Sequence, residues 1–452
     1  MHKIKVMPFP LFYLSLKELI ASFMKTFTSF PRIALYLLLI SVLVGSSSCT
    51  RPEDEDRIHF TVWGSVEQQR AEEEMVDAFR QGHPDTSVHL QVIGARYADV
   101  LQAMFVGNVA PDVVMVPLTQ YDEWASRGVL TDLTELFHEL DNQSEFLPIP
   151  RRAVMREGRA FGIPINAHGQ ATFYNQEALR AAGVEIPEGG LTWDFLEEIA
   201  PRLSARNGDP DAPTDYIMFL PNPSFIFWQF GAEFFDDLFH PTQVTINSSE
   251  AREALEFIRR MVKSGYAVPP EVASDEGTYQ LFRDGRIAFY FNGRWMTPQF
   301  AGRTDFDWDV VAMPAGPKSN ITGHGGTVLA VWDNSPRQEA ARRFIRFYAS
   351  PEGNKMSMQW QRNVPVYREV AYSEEFFELQ PPENLVEFSR TMEDGAAQFA
   401  LYAPGSAEVV RLVDARIQQA LASPGMSSDQ ILNGLESDLT RWLERMQERG
   451  IL

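Results

Sequence analysis

Eight histidines, sixty-one acids and one cysteine are the groups that could carry catalysis or hold a metal in this chain. The histidines form no i,i+4 pair and no cluster, so a histidine-built metal centre is not expected. A single cysteine, Cys49, excludes an intramolecular disulfide and any Cys-based zinc or iron–sulfur site. There is no HExxH, no GxxxxGK[ST], no GxSxG, and no GxGxxG after a strand. The stretch 207–215 (NGDPDAPTD) alternates oxygen side chains as a calcium loop does, but it lacks the Gly and the closing Glu of an EF-hand. We read it as a turn. The acids could supply a carboxylate pair for glycoside hydrolysis, yet no spacing singles one out. No catalytic residue and no cofactor is therefore expected. Aromatic surface is what the chain has in quantity: 12% of residues, nine of them Trp.

Such side chains need elements to place them. The 452 residues suggest two or three domains, and 44% hydrophobic with 22% charged is an ordinary globular balance. A net charge of −21 repels phosphate backbones, so nucleic acid is not an expected partner. From residue 58 onward, short apolar strands alternate with capped helices, which predicts an α/β fold. Strands are expected at 58–63, at 88–92, and at 112–116, where DVVMV is nearly continuous in apolar residues, as in a buried parallel sheet. Between them lie helices, one entered through Ser65 and Gln68 as a capping box and stopped at Gly82. Later strands are expected at 161–164, 171–174, 286–291, 307–313 and 327–332. Helices are expected at 192–205, with Pro201 as a kink or stop, at 249–264, and from Ser335 to about Ala349. Beyond residue 350 the chain reads as nearly all helix, the last one capped by Ser427 and Gln430.

The amino terminus reads as an address. Residues 33–45 (IALYLLLISVLVG) are an uncharged apolar run, too short to span a bilayer comfortably. Lys25 and Arg32 precede it, and Gly45, Ser46, Ser47 and Ser48 lead into Cys49. Basic, apolar and small-residue segments in that order form a secretory signal. A cysteine directly after the small residues resembles the bacterial lipobox, in which the cysteine is lipidated and becomes the mature terminus. Ser46 stands where that pattern has Leu. We expect a signal peptide over 1–48, with translation starting at Met24, a lipid on Cys49, and a polar tether over 49–57.

Further motifs carry a family resemblance. Residues 97–116 (YADVLQAMFVGNVAPDVVMV), with Ala-Pro-Asp-Val at 110–113, resemble the helix and strand of bacterial extracellular solute-binding proteins of ABC importers. Residues 128–132 (GVLTD), 158–182 with Gly-Ile-Pro and Tyr-Asn, the Thr-Trp helix at 192–203, 282–295 (FRDGRIAFYFNGRW) and 350–353 (SPEG) are similar to the segments that follow there, in order. Arg286 replaces the usual Lys. The pattern is most similar to the carbohydrate-binding, maltose-binding-protein-like branch. The resemblance implies a two-lobed α/β fold of the type II periplasmic-binding-protein class, hinged between lobes. Lobe one would take 58–166 and 309–349, and lobe two 167–308 and 350–452. It implies a monomer held at the membrane by its lipid, outside the cytoplasmic membrane or in the periplasm. Its partners would be a carbohydrate ligand and an ABC permease with its ATPase.

A sugar has apolar C–H faces and a rim of hydroxyls, which suit aromatic platforms and planar amides. In an open sheet the ligand sits beyond the carboxyl ends of the strands. On these grounds the candidates are Trp63 and Ser65 after the first strand, and Gln120 after the third. Asn166 and His168 stand at the first crossing between lobes. Trp228 and Gln229 lie in an aromatic stretch, where one of the two should reach the cleft. Asn292 and Trp295 follow a strand, Gly325 precedes one, and Arg362 follows a helix. Two other readings are a secreted carbohydrate hydrolase or lyase, and a binding protein that feeds a membrane sensor.

Overall fold

The computed structural model describes residues 57–64, 66–94, 96–205, 211–220, 224–361, 363–379, 381–393, 397–398 and 401–452. The signal peptide, Cys49 and most of the tether lie outside them. So do residues 207–210 of the turn at 207–215.

Two sheets organise the described chain. Their nine strands are β1 (Arg57–Trp63), β2 (Ser87–Ile93), β3 (Val113–Pro117), β4 (Ile163–Ala167), β5 (Gln170–Asn175), β6 (Tyr216–Phe219), β7 (Ile287–Gly293), β8 (Trp308–Val311) and β9 (Gly326–Val331). The first sheet has the order β2-β1-β3-β9-β4, and the second β8-β5-β7-β6. In the first, β1 runs parallel to β2 and β3, while β9 runs antiparallel to β3 and β4. In the second, β5 is antiparallel to both neighbours, and β6 is parallel to β7. The parallel part follows from βαβαβ: α1 (Val66–Gly82) and α2 (Tyr97–Val106) are the crossovers, and Met75, Val76 and Phe79 of α1 are buried.

Asp112 explains the Ala-Pro-Asp-Val motif. Its buried carboxylate accepts the His59 N–H at 2.8 Å and the Ser335 hydroxyl at 2.6 Å. It thereby joins β1 to the entry of α7 (Gln338–Tyr348). The other helices used below are α3 (Leu118–Ser126), α4 (Trp193–Leu203), α5 (Ser224–Phe230), α6 (Ser249–Lys263), α8 (Pro351–Gln361), α9 (Ser406–Ala422) and α10 (Ser428–Glu448). Thr192 caps α4, and Ser427 with Gln430 forms the capping box of α10. Pro201 does not stop α4, which runs on to Leu203. Its missing N–H falls in the last turn, where Leu203 and Ala200 are buried on the packed face.

Two apolar clusters form the core. The first cluster gathers Ile58, Phe60, Val113, Val114 and Leu329, and reaches one face of the second sheet through Phe173 and Tyr290. The other face, with Phe289 and Phe291, belongs to a second cluster built with α4, α6, α9 and α10. Three chain passages meet between the sheets. The strand β4 runs into β5 through His168 and Gly169. The chain returns from β8 to β9 through 312–325, and it passes again at Val364, which bridges Ala167. Gly169 is required there, because a Cβ would stand 2.3 Å from the Phe388 carbonyl oxygen.

Two boundaries differ from the sequence expectation. The division at 308/309 falls inside β8, all four residues of which pair with β5. The chain therefore leaves the second sheet after Val311. The helix α8, placed in lobe two by its position after residue 350, packs on α1 and β4 of the first sheet. An amphipathic pattern reports that a helix has a buried face, not which sheet covers it.

Candidate ligand-binding cleft

A cavity of about 360 Å³ opens where the three passages meet. It is lined by Trp63, Gln68, Met115, Asn166, His168, Trp295, Thr327 and Asn363. Trp63, Met115, Asn166 and Thr327 stand on strands of the first sheet, and Trp295 follows β7 of the second. The cavity thus draws on both sheets, at the carboxyl ends of β1, β4 and β7.

Each aromatic is positioned by its neighbours. Trp63 ends β1, half-buried, with its ring edge-on to Tyr97 at 5.4 Å. Tyr97 is itself anchored, donating its hydroxyl to the Met115 carbonyl at 2.7 Å. Trp295 is 36% exposed, an unusual setting for so large an apolar ring, and it lines the cavity. The residue two before it has to be glycine. A Cβ on Gly293 would overlap the Trp295 ring at 1.8 Å, so its absence lets the indole fold back over the end of β7. The Trp295 ring lies 5.1 Å from His168, tilted by 57°.

The polar groups are amides, a hydroxyl and an imidazole. Asn166 is buried at the end of β4, and Thr327 is its partner across the β4–β9 pair. Asn363 carries a buried Oδ1 that accepts no hydrogen bond among the described residues, and its own carbonyl receives the Arg294 guanidinium at 2.9 Å. Gln68 donates its amide N–H to Glu72 at 2.8 Å. Desolvation lowers the His168 pKa to about 4, so its ring is neutral near pH 7 and can both donate and accept. Its backbone N–H donates to the Gly325 carbonyl at 3.0 Å. Gly325 therefore sits behind His168, where a Cβ would come within 2.7 Å of Nδ1.

Four of the sequence candidates meet here: Trp63, Asn166, His168 and Trp295. Gly325 supports them from behind. Asn292 is adjacent but turned to local work, donating to the Tyr290 hydroxyl at 2.7 Å and accepting the Gly293 N–H at 2.8 Å. Gln120 is half-buried on α3, away from the cavity lining. Neither Trp228 nor Gln229 reaches the cleft. Both lie buried on α5 in the second core, where Gln229 accepts the Trp193 indole N–H at 2.5 Å and donates to the Ile321 carbonyl at 2.9 Å. The physical reason is that α5 is apolar on all sides, so its one amide serves to satisfy buried partners. Ser65, Arg362 and Cys49 lie outside the described residues.

The lining residues absent from the sequence candidates are Gln68, Met115, Thr327 and Asn363. Gln68 carried a helix-cap reading, and Met115 looks like any other residue of a buried strand. Thr327 and Asn363 each neighbour a candidate, Gly325 and Arg362, so the segments were legible and the register was not.

The sequence model described as bacterial extracellular solute-binding protein matches residues 63–355 of this chain. The chain belongs to that family. Curated relatives include an arabinooligosaccharide-binding protein of Bacillus subtilis, 23% identical over 72% of this chain and 76% of its own length. A mannitol-binding protein of Pseudomonas aeruginosa is 24% identical over 67% and 72%. Among solved structures, an ABC substrate-binding protein from Listeria monocytogenes in complex with cycloalternan superposes with a TM-score of 0.74. It is 23% identical and covers 86% of this chain and 99% of its own. The sugar-binding protein MalE from Xanthomonas citri gives a TM-score of 0.73 at 19% identity, with 86% and 98% covered. The fold of this family member is therefore the two-lobed arrangement of maltose-binding-protein type, with the cleft between its two sheets.

Proposed function

We propose that this chain captures a sugar or short oligosaccharide in the cleft and delivers it to an ABC permease, without catalysis. The observation that carries the reading is the pairing of Trp63 and Trp295, contributed from the two sheets, around one cavity rimmed by amides. Indole faces suit the C–H faces of a sugar ring, and Gln68, Asn166, Asn363, Thr327 and neutral His168 suit its hydroxyls. The names of the relatives, which bind arabinooligosaccharide or mannitol, support the same ligand class. We assign the first sheet with α1, α2, α3, α7 and α8 to one lobe, and the second sheet with α4, α5, α6, α9 and α10 to the other. Hinge motion about the three passages would then open and close the cleft. We further propose that residues 1–48 are removed on export and that a lipid on Cys49 holds the protein, as a monomer, at the membrane face where the permease lies.

Titration calorimetry against a panel of mono- and oligosaccharides tests this. A saturable heat with one member of the panel, and full recovery of that saccharide afterwards, is the expected result. Absence of binding across the panel overturns the ligand class, and conversion of the saccharide overturns the non-catalytic reading.

A further inference from the structure

A second group bears on the cleft without touching it. Glu72 lies one helical turn beyond Gln68 on α1 and is completely buried. Its carboxylate accepts the Gln68 amide N–H at 2.8 Å, and the Tyr348 hydroxyl at 2.9 Å to one oxygen and 3.2 Å to the other. Among the described residues no cation pairs with it. A buried carboxylate without a counter-charge is costly, so its place here needs a reason. The geometry offers one. Gln68 lines the cavity, and Tyr348 ends α7, which leads directly into α8 and so to Asn363 on the same cavity.

We propose that Glu72 is a positioning residue for ligand capture: its carboxylate holds the Gln68 amide in the cleft wall, and protonation loosens that hold. This rests on reading the cavity as the ligand site. The charged form is the stronger acceptor, roughly twice as strong as a neutral one. Burial pushes the Glu72 carboxyl up to about 7, with the Gln68 and Tyr348 hydrogen bonds opposing that rise. No other charged group faces it from the elements packed against it, among the described residues. On α1, Glu73 and Glu74 are exposed. On α7, Tyr348 is the group in contact, and Arg346 is engaged with Glu139. On α8, Glu352 and Lys355 are exposed, while β2 presents apolar Val88 to the core.

The sign follows from linkage. A ligand that needs Gln68 in place favours ionised Glu72, so binding releases a proton and affinity rises with pH through about 7. Calorimetry on the whole protein, with the saccharide found in the panel, should give affinity about five- to tenfold tighter at pH 8 than at pH 6. Glu72→Gln should bind more weakly at pH 8 and lose the pH dependence. Tyr348→Phe, which removes one of the donors that favour the ionised form, should keep the dependence but move its midpoint to higher pH. A wild-type affinity that does not change between pH 6 and 8, or the same profile in Glu72→Gln, overturns the positioning role while leaving the ligand reading intact. Failure of every saccharide to bind overturns both, which separates the two claims.

Discussion

The cleft depends on a few side chains whose settings differ from those of their chemical twins elsewhere in the chain. Trp295 and Trp228 illustrate this. Both follow aromatic-rich stretches, yet Trp295 lines the cavity, partly exposed, and Trp228 is buried against Phe234 in the second core. Residue type could not distinguish them. What could have done so is Gly293, since a glycine two positions before an indole allows a fold-back that no other residue permits. Replacing Trp295 with Ala should weaken saccharide binding by roughly 1–3 kcal/mol, the range for losing one stacking platform. The melting temperature should change little, because the ring is not part of either core. Calorimetry and a melt on the same variant check both halves, and an unchanged affinity would reject Trp295 as a platform.

At the level of elements, the sequence was most informative where a pattern and a cap agreed. The βαβαβ start, the Thr192 cap of α4 and the capping box of α10 are all legible, because apolar periodicity and local hydrogen bonding are properties of neighbours in the chain. Assignment of helices to sheets was not legible, since it depends on long-range packing. The strand β8 and the helix α8 show this directly: one stays with the second sheet past an expected boundary, and the other returns to the first. The site followed the same division. Segments after strands were findable, while Met115 and Thr327 gave no sign of facing a cavity. At Gln229 a polar residue among aromatics suggests a ligand contact and is a structural tie. Gln229→Ala would leave the Trp193 N–H and the Ile321 carbonyl without their partner. Denaturant melts should show a loss of roughly 1–3 kcal/mol, with saccharide affinity retained in the remaining native protein. A large loss of affinity at full stability would place Gln229 back in the cleft.

At the scale of the molecule, the lone cysteine and the acidic balance acquire a common setting. A chain of net charge −21 is well suited to remain soluble close to an anionic membrane. The proposed lipid on Cys49 would keep it there. Cys49→Ala should move the protein from the membrane fraction to the soluble exported fraction, and retention on membranes after the change would reject the anchor. The proposed hinge motion about the three passages would give capture a simple physical form, since closure would bring the indole of one sheet toward the indole of the other. The most direct measurement of the central claim is the melting temperature of the whole protein against a saccharide panel, because a ligand that binds only the folded state raises it. A dose-dependent rise with at least one neutral mono- or oligosaccharide, much reduced in Trp295→Ala, is the expected result. A panel that leaves the melting temperature unchanged throughout would contradict it.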